Sequence, residues 1–452
     1  MHRKFARRFA NVRSLLAAVS LAAACGGDAA TMTSPDGASS STGGAIGTGG
    51  RAANTGGAIG SGGAIASGGA IGSGGAIGSG GALGSGGART GGSGTGGALG
   101  LGGTSGHGGN GSNAGTGGSA GTSGSAAVRV DGRIDNSDPT HPTFSWSGSA
   151  VVARFDGTGA TLRIDGSPNQ FQVVVDGVAT QVLKVVSGTS QYLVATGLSA
   201  GTHDLVVWRR TEGNLGNNRF LGLDVVGGTL LTPRALPDRR VEIYGDSITA
   251  GYGLDGVGPS CSRTPDTDNH FLTYGAIMAR TLAVDLHTVA WSGIGMYRNY
   301  GIAGASADAM PSVYARTLAD TATKPWDFTK WQPHAMVINL GTNDFSTNGD
   351  PGMPYRTAYL EFVRNLRQKY PTAFFILSIG PMLDGANLTA ARGHLQAVIQ
   401  TRAAEGDSKM SYLEFPTQLQ ADGYGCDWHP SPVTNVKMAA LLTAELKTRL
   451  GW

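Results

Sequence analysis

Cysteine is scarce in this sequence: three residues in 452, at positions 25, 261 and 426. So few exclude a disulfide-dense scaffold, and no C-x-x-C or H-x-x-x-H spacing offers a zinc site. No metal or other cofactor is expected. Long apolar runs are missing too; LLAAVSLAAA at 15–24 is too short to span a bilayer. Positive charge is in surplus only on paper. The formal charge is +3, but five of the basic residues lie in 1–24, which leaves −2 for the remainder. That balance gives no argument for nucleic acid or an anionic membrane as partner. It suits an uncharged extracellular substrate such as a polysaccharide.

What is present begins with export. Residues 1–24 combine five basic residues, no acidic ones, a short apolar run and small residues, the pattern of a signal peptide. The segment resembles a bacterial lipoprotein signal, which would make Cys25 a lipidated terminus and anchor the protein to a membrane. Cleavage within the alanine-rich stretch, with release, is the alternative. The protein is therefore expected at the cell surface or secreted. Residues 25–126 are read as a flexible linker. Positions 41–126 hold 38 of the 75 glycines in repeats such as GGAIGSGGAIGSGG, with Arg51 and Arg89 the only Lys, Arg, Asp or Glu. Such a segment buries too little apolar surface to offset chain entropy.

The remaining 326 residues are enough for two domains. In 127–232 the runs ATLRIDG, FQVVVDGV and HDLVVWRRT alternate like strands, and no stretch of helical period intervenes. This predicts an all-β sandwich or jelly roll, with the two Asp-Gly pairs consistent with hairpin turns. From 233 to 452 the pattern changes. RRVEIYG, DLHTVAW, HAMVINLG, AFFILSIG and MSYLEF read as buried strands, with helical stretches between them. Tyr359, Val363, Leu366 and Tyr370 share one helix face; Met438, Leu441, Leu442 and Leu446 are read as another. Strand–helix alternation predicts a doubly wound α/β parallel sheet, in which ligands bind beyond the carboxyl ends of the strands.

Three strand ends carry residues of interest there: Ser247 after VEIYGD, Gly293 after TVAWS and Asn343 after MVINLGT. A serine after a strand is ordinarily a helix N-cap. Ser247 also lacks the G-x-S-x-G elbow of common α/β-hydrolases. A nucleophile there would need a base and oxyanion donors. His429, in CDWHPSP, is best placed as base, because it sits just before a helix capped by Ser431, whose N-terminus disfavours an imidazolium.

The segments IYGDSITAGYG, AWSGIGMYRNYG, INLGTND and DWHPS occur in the order of the four blocks of SGNH (GDSL-type) hydrolases, which the chain resembles. The preceding β-rich part, with WSGS and RRTEGN, looks like the jelly roll of carbohydrate esterase family 2. The resemblance implies a flavodoxin-like SGNH domain after an all-β domain. It further implies an acetyl xylan esterase-like serine enzyme that deacetylates xylan or glucomannan through an acetyl-enzyme. Carried over, Ser247 is the nucleophile and His429 the general base and acid. The oxyanion donors are the N–H groups of Ser247 and Gly293 with the Asn343 amide. Asp246 and Asp344 brace the turns.

One position departs from the family pattern. The aspartate usually three residues before the histidine is Cys426 here. A Ser–His dyad, its ring oriented by a backbone carbonyl, is the first reading; Asp427 as third triad member is the alternative. If Cys25 is processed, Cys261 and Cys426 remain, and a disulfide between them is expected; two buried thiols are the alternative. Trp428 and Trp291 flank catalytic blocks and are candidate substrate contacts, with core packing as the competing role. A monomer acting on acetylated polysaccharide is expected. The rival functions are an esterase for other small or lipid esters and an inactive surface carbohydrate-binding protein.

Overall fold

The computed structural model describes residues 127–452. The expected signal peptide, Cys25 and the glycine-rich linker lie outside the described residues.

The first part is antiparallel β. Its strands are β1 (Val128–Asp131), β2 (Ile134–Asp135), β3 (Thr143–Phe144), β4 (Ala150–Asp156), β5 (Gly159–Gly166) and β6 (Gln170–Val175). They continue with β7 (Val178–Lys184), β8 (Gln191–Ala195), β9 (Thr202–Arg209), β10 (Asn218–Val226) and β11 (Thr229–Leu231). One sheet runs β1-β4-β9-β6-β7, with β11 also on β4; the other runs β2-β3-β10-β5-β8. Burial alternates along β4, β5 and β9, as the pleat requires when one face meets a core. Phe155, Val173 and Val207 of one sheet and Leu162 and Ile164 of the other share that core. Phe144 and Phe171 meet across it edge to face at 6.2 Å.

Asp176-Gly177 forms a hairpin. Both residues have positive φ, 51° and 81°, and they join β6 to β7 with Val175 opposite Val178. Asp165-Gly166 does not, although its sequence looks the same. β5 and β6 lie in different sheets, so this pair ends β5 and opens the crossover to β6.

The second part is a parallel sheet of β12 (Arg239–Gly245), β13 (Val284–Ala290), β14 (Ala335–Asn339), β15 (Phe374–Ile379) and β16 (Met410–Glu414). Its order is β13-β12-β14-β15-β16, with every pairing parallel. This is the flavodoxin-like order, with its switch point between β12 and β14. Successive residues of each strand point to opposite faces. Val241, Ile243 and Val337 pack on the helices Tyr274–Leu282 and Pro432–Leu450. Tyr244, Met336 and Ile338 pack on Met353–Lys369 and Gly385–Ala404. Tyr359, Val363, Leu366 and Tyr370 are buried together as their spacing predicts. Leu441 is exposed instead, because the buried stripe of the last helix runs through Met438, Ala439, Leu442 and Leu446.

The two parts belong to one unit. Trp146, from the loop after β3, sits in the core of the parallel-sheet part and donates its indole N–H to the Arg316 carbonyl at 3.3 Å. Arg133, from the turn before β2, is fully buried against β12. Its Nε and Nη2 reach Glu242 Oε1 at 3.0 and 2.8 Å, and Nη2 also reaches Tyr244 Oη at 2.7 Å. Tyr244 in turn donates to Glu242 Oε2 at 2.8 Å.

Removing one member of such a pair strands a charge out of water. Glu242→Ala is expected to cost about 3–5 kcal/mol in denaturant unfolding. The double variant Arg133→Met/Glu242→Leu should cost far less than the sum of the two single changes.

Candidate active site

Three loops from the carboxyl ends of β12, β13 and β14 meet at the switch point, where a doubly wound sheet leaves a crevice. β12 ends at Gly245, where a side chain would collide with Thr249 Oγ1 at 2.0 Å, so the chain can turn this tightly only without one. Asp246 then caps the short helix Ser247–Ala250 by accepting from Ile248 N–H at 3.0 Å. The N-cap is therefore Asp246 and not Ser247. The serine hydroxyl is left free for another partner.

That partner is His429. Its Nε2 lies 2.9 Å from Ser247 Oγ. Its Nδ1 lies 3.1 Å from both the Cys426 and the Asp427 carbonyl oxygens. Carbonyls only accept, so Nδ1 carries the proton and Nε2 presents its lone pair to the serine. The Asp427 carboxylate turns away, accepting from Tyr252 Oη at 2.9 Å and Arg263 N–H at 3.1 Å. As a source of a carboxylate for the ring, Asp427 is therefore replaced by main-chain oxygen. Tyr252 packs on the imidazole with ring centroids 4.2 Å apart. Burial pushes the imidazole pKa down to about 4, against the opposing pull of the two carbonyls.

Gly293 has φ of +78°, which disfavours any side chain, and a Cβ there would point into open space. Neither its N–H nor that of Ser247 finds a protein acceptor among the described residues. Asn343 is buried in the helix Thr342–Ser346. Its amide donates to Ile294 O at 2.8 Å and makes only a long 3.5 Å contact with Asp246 Oδ2. Asp344 accepts from the N–H groups of Met296, Tyr297 and Arg298 at 2.8, 2.7 and 2.9 Å, and so holds the loop after Gly293. Burial raises Asp344 to about 6 and Asp246 to about 7.

Cys261 and Cys426 form the expected disulfide, with Cα atoms 4.7 Å apart. The His429 loop is held further by Cys426 N–H on the Gly253 carbonyl (2.9 Å) and Asp427 N–H on the Cys261 carbonyl (3.1 Å). These contacts sustain left-handed backbone at two non-glycine residues, Asp427 (φ 51°) and Trp428 (φ 63°). The turn carries the Trp428 ring outward, where it is 60% exposed beside Tyr424. Trp291 differs: it is half-buried, packed against the central core, with Arg316 over its ring. Tyr300, on the Gly293 loop, is 61% exposed and donates its N–H to the Gly293 carbonyl. Sequence reading did not single out Tyr300, Tyr252 or Arg263; an aromatic or basic residue inside a loop carries no periodicity to mark it.

Residues 130–233 match the family model for the carbohydrate esterase 2 N-terminal domain, and residues 243–435 match the GDSL-like lipase/acylhydrolase family. An acetylxylan esterase / glucomannan deacetylase of Cellvibrio japonicus is 30% identical over 343 residues, 72% of this chain and 91% of that protein. The solved structure of a family two carbohydrate esterase from Clostridium thermocellum, in complex with cellohexaose, is 42% identical. It superposes with a TM-score of 0.70 over 72% of this chain and 99% of its own. The chain belongs to carbohydrate esterase family 2. This family 2 esterase is also 42% identical over 326 residues to the cellulase/esterase CelE of Acetivibrio thermocellus, but spans only 40% of that protein's length.

In this family 2 esterase the disulfide closes a sequence separation of 165 residues and ends on the residue whose carbonyl meets His429. Cys261→Ser is expected to lower stability by about 2–4 kcal/mol in denaturant unfolding. Mild reduction of the wild-type protein should loosen the loop and reduce esterase turnover in parallel with thiol release.

Proposed function

We propose that this esterase removes O-acetyl groups from plant-wall polysaccharide, acetylated xylan or glucomannan, through an acetyl-Ser247 intermediate. The observation that carries the reading is the 2.9 Å contact between Ser247 Oγ and the lone-pair nitrogen of His429, whose other nitrogen is committed to main-chain carbonyls. His429 Nε2 takes the hydroxyl proton as Oγ attacks the acetyl carbonyl. The negative charge on that oxygen is met by the N–H groups of Ser247 and Gly293, which have no protein acceptor among the described residues, and by the second amide hydrogen of Asn343. The imidazolium then protonates the sugar oxygen, which leaves. Water repeats the sequence, giving its proton to Nε2 and its oxygen to the acetyl carbon, and acetate and Ser247 are released.

The acetylated-glycan assignment draws support from the Cellvibrio japonicus relatives, named as acetylxylan esterases and glucomannan deacetylases, and from the cellohexaose bound to the solved relative. The exposed rings of Trp428 and Tyr300, on the His429 and Gly293 loops, are flat apolar faces of the kind sugar rings cover. The basic, apolar start of the sequence supports export, with Cys25 as anchor or the chain released.

Ser247→Ala and His429→Ala should each lower kcat on p-nitrophenyl acetate by about four to six orders of magnitude. Asp427→Asn should keep activity within several-fold of wild type; its collapse in a folded variant would return the carboxylate to the ring. Trp428→Ala should raise KM for acetylated xylan more than for p-nitrophenyl acetate. Because the folded imidazole titrates near 4, the base form persists at all higher pH. The acid limb of kcat/KM is accordingly expected near pH 4, not near the free-histidine value of about 6.5.

A further inference from the structure

The β part sends one carboxylate into the neighbourhood of the reacting groups. Glu212 follows β9 in the segment RRTEG and is 1% exposed. Its Oε2 accepts from the Ser292 N–H at 3.0 Å and its Oε1 accepts from the Ser292 hydroxyl. Ser292 immediately precedes Gly293, so the Ser292 end of the peptide plane bearing the Gly293 N–H is held through both its backbone N–H and its side chain. At its other end Gly293 carries no side chain, its N–H has no protein acceptor among the described residues, and its carbonyl accepts from the Tyr300 N–H at 2.8 Å.

Glu212 is itself held. Arg263 Nη2 lies 3.4 Å from Glu212 Oε1 and its Nε donates to Asp268 Oδ1 at 2.9 Å. The same guanidinium sits 5.3 Å from the centroid of Tyr252, the ring that packs on His429. Arg263 also donates its backbone N–H to Asp427. Arg210 of the same segment donates to the Asp268 carbonyl at 3.3 Å and pairs with Asp255. Burial and the nearby Asp268 raise the Glu212 carboxyl, and Arg263 and the Ser292 donors oppose them.

We infer that Glu212 is a positioning residue of the reaction: it orients the Ser292–Gly293 peptide so that the Gly293 N–H faces the developing oxyanion. The β part thereby takes a share in setting the donor geometry. The inference rests on the Ser247–His429 reading above. A misaimed donor weakens the transition state while leaving ground-state contacts with the glycan intact, so the loss falls on kcat and not on KM.

The test compares Glu212→Gln, Glu212→Ala and Ser292→Ala in the otherwise unchanged chain, with p-nitrophenyl acetate and acetylated xylan as substrates. Glu212→Gln keeps the shape and one acceptor, and kcat should fall about tenfold. Glu212→Ala should lose about 100-fold, the scale of one missing oxyanion donor. KM should stay within threefold in both. Ser292→Ala, which removes only the hydroxyl contact, should lose about fivefold in kcat. Adding it to Glu212→Ala should cost nothing further, because both act through one pair of hydrogen bonds. Folded Glu212 variants with kcat within twofold of wild type, or a loss confined to KM, would overturn the inference. If neither Glu212 variant folds, an unchanged kcat in Ser292→Ala overturns it. Ser247→Ala is measured alongside: persistent activity there sinks the nucleophile assignment itself, whereas an inactive Ser247→Ala beside fully active Glu212 variants rejects only the positioning role.

Discussion

A guanidinium removed from water must be answered by charge and acceptors on every side, and Arg133 is answered by the first strand of the parallel sheet. Glu242, its partner, lies 109 residues away, and Tyr244 closes the triangle between them. Breaking such a pair is far costlier than never having made it, so its presence dictates how the β part meets the sheet more than it adds net stability. The meeting has a chemical outcome because the turn that follows β12 carries Ser247. The strand that receives Arg133 through Glu242 and Tyr244 leads, two residues past its end, to the hydroxyl.

The architecture divides labour among short segments. Buried carboxylates hold backbone: Asp246 caps the serine turn, and Asp344 gathers three consecutive N–H groups after Gly293. Main-chain carbonyls hold the imidazole, and the disulfide with its neighbouring hydrogen bonds holds those carbonyls. Family 2 membership and this geometry agree on an ester hydrolase whose site is assembled from polar contacts around a mostly apolar sheet.

Much of this could be read in the residues before any coordinates. Period-two burial in β4, β5 and β9 and the helical stripe through Tyr359, Val363 and Leu366 follow from one-dimensional spacing, which survives in sequence. Ser247, Gly293, Asn343 and His429 were legible as a resemblance of four blocks, and the Cys261–Cys426 pair from cysteine arithmetic. Other features were not. Asp246 and Ser247 are adjacent, and both are good N-caps, so composition cannot say which closes the helix. The Asp-Gly pairs at 165 and 176 are identical locally and differ only in which sheet the next strand joins. Glu212 meets Ser292 across 80 residues, and a single long-range contact leaves no period behind.

Since Asp246 closes the turn, the hydroxyl next to it owes nothing to the fold. Replacing Ser247 by alanine then removes the atom nearest His429 while the cap that shapes the turn stays in place.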